Sequence, residues 1–133
     1  MKYTVPAAGV ILFAWLGAAS LQAHHSPSAI FDMSKHLSVT GTLMRVDWIN
    51  PHIVLAVEGK GEGGKVEQWT FQSNPPSWYK SVGLARADFA KAIGQQITIQ
   101  AVKARDGSLY GYMDRITLPD GTSYELVNSA EPK

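Results

Sequence analysis

The residues best suited to chemistry in this chain are four histidines, His24, His25, His36 and His52. Imidazole nitrogen suits copper, nickel and zinc, and nitrogen-rich sites favour Cu(II) in the usual order of divalent affinities. A cut after Ala23 would make His24 the first residue. It would then offer two nitrogen donors, its free amine and its imidazole. One further imidazole would complete a compact T-shaped set around copper. His25 is adjacent, but on an extended backbone its side chain points a different way. His52 stands where a turn enters a strand, a more rigid position, and is the favoured third ligand. Asp32, Asp47 and Met33 are further candidate donors. The expected metal site is therefore His24, His25 and His52, with copper as the ligand. The competing reading makes His24 and His25 a solvated arm that binds metals adventitiously, and His52 a hydrogen-bond partner of its neighbouring turn.

Other chemistry finds less support. The zincin spacing, the three-histidine zinc patterns and the calcium-loop pattern are absent. Asp106-Gly107 and Asp120-Gly121 read as hairpin turns, without the dense oxygen ligands of a calcium loop. Ser26, Ser28 and Ser38 have histidines nearby in sequence, but none sits in a nucleophile elbow. Asp47 and Glu67 are candidates for paired carboxylates across strands, though nothing in the sequence sets their separation. No haem, flavin or nicotinamide signature is present, and the expectation is a non-enzymatic protein.

A second feature is aromatic: Trp48, Trp69, Trp78, Tyr79, Tyr110, Tyr112 and Tyr124. One reading lines a barrel face with them to receive a flat or apolar ligand or an envelope protein. The favoured reading buries Trp69 and Phe71 in the core and spreads the tyrosines over a sheet face, hydroxyls in water.

The elements that must position these residues are mostly strands. Residues 24–35 lack a lasting period and read as an extended arm, in which Ile30, Phe31 and Met33 dock on the body. Leu37 to Trp48 has strand-like, mixed alternation, with Gly41 as a bend or bulge. After the Asn50-Pro51 turn, His52 to Val57 and Lys65 to Gln72 form a hairpin joined by a glycine-rich connection. Asn74 is the expected cap of a short helix with Pro75 at its first position. A second helix runs from about Arg86 to Ile93, with Ala85, Phe89, Ala92 and Ile93 on one face. Strands follow over Gln96 to Lys103, Leu109 to Leu118 and Ser123 to Val127. Three strands, a helical connection, then two strands and a short extra one is the order of a mainly β, OB-like barrel of five or six strands. A small open sandwich is the alternative.

The first residues point to export. Lys2, the apolar run Val10 to Leu16 and the small residues Gly17 to Ser20 are the parts of a secretory signal. The apolar stretch Val5 to Ala19 falls short of the ~20 residues that cross a bilayer comfortably. An uncleaved anchoring helix is the competing reading. Cuts after Ala19 or Ser20 suit the local pattern slightly better than one after Ala23, which leaves Leu21 at the −3 position. The organisation expected is a signal peptide 1–23, an arm 24–35, a β domain 36–127 and a frayed tail 128–133. Losing residues 1–23 removes one of 12 basic residues and none of the 11 acidic ones, leaving the rest balanced. That balance gives no electrostatic reason to bind nucleic acid or an anionic membrane. With no cysteine, an exported domain has neither disulfides nor thiolate ligands and must rest on an apolar core.

The chain resembles the DUF6152 family of small exported bacterial proteins of unknown function. The resemblance rests on His24-His25-Ser26, Asp32, Gly41-Thr42, Trp48-Ile49-Asn50-Pro51-His52 and Asp106-Gly107. The Trp69 to Phe71 strand and Leu118-Pro119-Asp120-Gly121 also fit. Pro27 departs from the pattern, which usually has an aromatic or aliphatic residue there. The resemblance implies export, a common fold and processing near Ala23; it implies no reaction. The combined expectation is a periplasmic or secreted protein that holds or hands over copper. The alternative is a module for an unknown envelope protein or small ligand, without metal. Neither involves nucleic acid or membrane insertion after signal cleavage.

Overall fold

A computed structural model of the chain describes residues 27–126. The first element among the described residues is one helical turn, α1 (Pro27–Ile30), which runs directly into a long strand, β1 (Phe31–Asp47). β2 (Val54–Lys60) and β3 (Val66–Gln72) form a hairpin around a short 3-10 turn. Two short helices follow, α2 (Pro76–Ser81) and α3 (Arg86–Ala92). β4 (Gln96–Ala104), β5 (Tyr110–Thr117) and β6 (Ser123–Glu125) are the last elements among the described residues.

All six strands belong to one sheet in the order β3-β2-β1-β4-β5-β6. Neighbours in that order are antiparallel, and β3 also pairs in parallel with β5 through Thr70–Gln72 and Tyr110–Tyr112. That last pairing joins the sheet into a ring, with β6 hanging from β5. The mainly β, OB-like expectation holds in strand order and in the helices lying between β3 and β4, and the open sandwich does not.

β1 makes the ring because it changes partner along its length. Phe31 to Thr42 pairs with β4, and Gly41 to Asp47 pairs with β2. At the changeover Gly41 lies opposite both Gly59 and Ile97. A Cβ on Gly41 would stand 2.3 Å from the Glu58 carbonyl oxygen, so only glycine fits this crossing. The bulge expected near Gly41 falls at Met44, where the register with β2 slips. There the Leu43 amide donates to Gln95 O at 3.0 Å and Leu43 O accepts from Gly94 at 2.8 Å, tying β1 to the end of α3.

The main core fills the ring. β2 alternates with Leu55 and Val57 inward, joined by Leu43, Phe71, Ile97, Ile99, Met113 and Ile116. Tyr79 from α2 and Phe89 from α3 add fully buried rings in T-shaped contact at 5.1 Å. Burying side chains of this size stabilises by about 1.5–3 kcal/mol each. A second, smaller cluster gathers Phe31, Val102, Ala104 and Tyr112, with Tyr110 against it.

Several expected boundaries move. β1 begins at Phe31 rather than Leu37, because Phe31 is fully buried opposite Ala104. Its alternation is masked by a register slip between Asp32 and His36, which leaves Met33 and Lys35 exposed. β2 begins at Val54 rather than His52. Asn74 does not cap α2: Pro75 stands at the cap with Pro76 at the first position, and Asn74 is buried. In α3, Phe89 and Ala92 face inward as expected, while Ala85 and Ile93 are exposed. The Asp106 turn is as expected, with Gly107 at a φ of 79°. Among the described residues, no helix is long and apolar enough to cross a membrane.

Candidate metal-binding face at His52

His52 follows the cis Asn50–Pro51 bond and precedes β2. The β2–β3 pairing continues past the strand ends and fixes its neighbour. Ile53 donates its amide to Asn74 O at 3.2 Å, and Ser73 donates to Ile53 O at 2.9 Å. Ile53 itself is fully buried. The half-buried His52 side chain places Nδ1 2.9 Å from the Ser73 carbonyl oxygen. A carbonyl only accepts, so Nδ1 carries the proton and donates. Nε2 is then left with the ring's lone pair. This is the arrangement in which a metal-ligating histidine is held by its second nitrogen.

The surroundings of His52 are a polar network built on aromatic rings. The Ser73 and Tyr79 hydroxyls are hydrogen-bonded to each other in the interior. The Tyr112 hydroxyl donates to Asn74 Oδ1 over a long 3.4 Å, and its ring meets the His52 ring edge-on at 6.4 Å. Asn74 Nδ2 is buried without a partner among the described residues. Phe31 packs on Tyr112 at 5.4 Å and on Tyr110 at 5.0 Å. Tyr110 donates to Gln72 Oε1 at 2.6 Å. Burial pushes the phenols of Tyr79, Tyr110 and Tyr112 up, so they stay protonated at neutral pH. The start of β1 and His52 thus both pack on one tyrosine, Tyr112.

Of the other expected donors that are described, His36, Asp32 and Asp47 have partners of their own. His24 and His25 fall outside the described residues. His36 is on the surface, 71% exposed, with Nδ1 3.5 Å from Asp114 Oδ2. Asp32 accepts from the Ser34 hydroxyl at 2.7 Å and the Ser34 amide at 3.2 Å, bonds that hold its carboxyl below the usual range. Asp47 is bound by Arg45, with Nη2 at 3.1 Å. Among the described residues, no three His, Asp or Glu side chains are grouped to hold a metal.

Two further sequence readings change. Asp47 lies opposite Val54 and Glu67 opposite Gly59, at different ends of β2. Five strand residues separate those positions by about 17 Å, so the two carboxylates are not a catalytic pair. Trp69 and Phe71 are in the core as expected, stacked at 5.9 Å. Three of the tyrosines depart from the expectation of hydroxyls in water: those of Tyr79, Tyr110 and Tyr112 have protein partners. Sequence reasoning missed Ser73 and Asn74 as partners of this network. Their one local signal was two polar residues placed just before Pro75-Pro76 at a strand end.

A model of a family of unknown function, DUF6152, matches residues 13–113. No protein of curated function matches the chain.

Proposed function

The chain belongs to the DUF6152 family, and for this member of it we propose a non-enzymatic, exported protein that binds Cu(II) and holds it or hands it over. Residues 1–23 are removed after Ala23, and copper is bound by the His24 amine and imidazole together with His52 Nε2, assisted by His25. The observation that carries this reading is the 2.9 Å bond from His52 Nδ1 to the Ser73 carbonyl. With Nδ1 donating to that carbonyl, Nε2 of the neutral ring is the nitrogen that would bind metal, which supports the reading.

The tether supports it. Three residue steps from His24 to Pro27 reach about 10 Å when extended. The helical turn that follows leads into Phe31, whose ring shares Tyr112 with His52. Nitrogen donors of this kind select copper over the other common divalent ions.

The test is a competition titration of the processed protein with Cu(II). His52→Ala is expected to weaken binding at least about tenfold, the lower end of what even outer-shell changes cost at metal sites. His36→Ala, which alters an exposed residue paired with Asp114, is expected to leave affinity unchanged. Equal affinity in His52→Ala removes the proposed ligand.

A further inference from the structure

We infer that a cleft between Trp48 and helices α2 and α3 docks an acidic segment of a partner protein through one large apolar side chain. The cleft encloses about 280 Å³. Trp48, Pro76, Leu84 and Ala85 give it an apolar lining, and Ser77 and the exposed Lys80 and Arg86 complete it. No acidic residue lines it. Asp88, the acid on α3, accepts the Ala85 amide on Oδ2 at 2.8 Å and lines a different cleft. Lys80 and Arg86 are exposed and make no ion pair among the described residues.

The apolar lining is rigid before anything binds. The Trp48 ring lies 5.8 Å from Tyr79 and 5.5 Å from Phe89, both fully buried. A preorganised aromatic surface loses little entropy on contact, which suits it to receive an anchor residue. Two exposed cations with no ion pair among the described residues favour negative charge beside it and disfavour basic partners. At about 280 Å³ the cleft is at the small end of the ~300–1,000 Å³ range of pockets that bury a small molecule, and it is open to solvent. One anchor side chain fits such a place, with neighbouring acidic residues meeting Lys80 and Arg86.

The inference uses none of the proposed copper ligands, so the two readings stand or fall separately. The test is a titration of the purified protein with three capped tripeptides, Asp-Trp-Glu, Asp-Ala-Glu and Lys-Trp-Lys, and with free phenylacetate. The readout is the NMR shift of the Trp48 indole N–H, assigned by its loss in Trp48→Phe. Asp-Trp-Glu is expected to give a saturable shift, and the alanine and lysine peptides none below roughly 10 mM. The double variant Lys80→Gln/Arg86→Gln is expected to weaken Asp-Trp-Glu by roughly tenfold, from two exposed charge contacts. His52→Ala is expected to leave it unchanged. Equal binding of Lys-Trp-Lys, equal binding by the double variant, or no saturable shift overturns the inference. Phenylacetate binding as tightly as Asp-Trp-Glu overturns the protein partner in favour of a small acid.

Discussion

Ser73 does two jobs with two oxygens. Its carbonyl accepts from His52, and its hydroxyl is paired with the buried Tyr79 phenol. Burial raises the Tyr79 pKa above its ordinary value of 10.0, because the interior disfavours the phenolate. The unfolded chain therefore releases this proton first as pH rises. Stability that is fully present below about pH 10 is lost progressively above it. Urea unfolding at pH 8 and pH 11 is expected to show that loss, and a shallower one in Tyr79→Phe. At pH 8 the same variant is expected to cost about 1–3 kcal/mol, because the buried Ser73 hydroxyl loses its partner. An unchanged alkaline slope in Tyr79→Phe would contradict the assignment. These tyrosine partners were illegible in the sequence for a physical reason. Tyr110 and Tyr112 reach residues 38 positions away, across a parallel pairing that no local pattern announces.

Among the elements, β1 organises the rest, and its first residue is an anchor. Phe31 is fully buried among Tyr110, Tyr112, Val102 and Ala104. Phe31→Ala is expected to cost about 3–5 kcal/mol, the usual loss for emptying a buried aromatic site. Amide exchange of Asp32 and of Ala104 across the ladder is expected to rise with it. A loss under about 1 kcal/mol would mean that this end of β1 is not docked. The hairpins and the helices between β3 and β4 were legible because their turns and periods are local. The start of β1 was not, because the slip between Asp32 and His36 breaks the alternation that marks a strand. Asn74 misled for a similar reason: either proline of Pro75-Pro76 can open a helix, and burial of Asn74 beside Tyr112 settles which does.

At the scale of the whole molecule, the ring of strands brings the end of β3, the start of β5 and the start of β1 to one place, beside His52. The sequence showed His52 at a turn–strand boundary, but its Ser73 partner depends on the closed β2–β3 register. A copper site at His52 would join this ring to export, since the proposed cut after Ala23 would supply the His24 amine. The most direct test is electron paramagnetic resonance of the processed protein with one equivalent of Cu(II), beside a form carrying one extra glycine before His24. The expected result is a single nitrogen-rich Cu(II) spectrum that changes, with weaker binding, when the glycine is added. Identical spectra and affinities in the two forms would contradict a site built on the His24 amine.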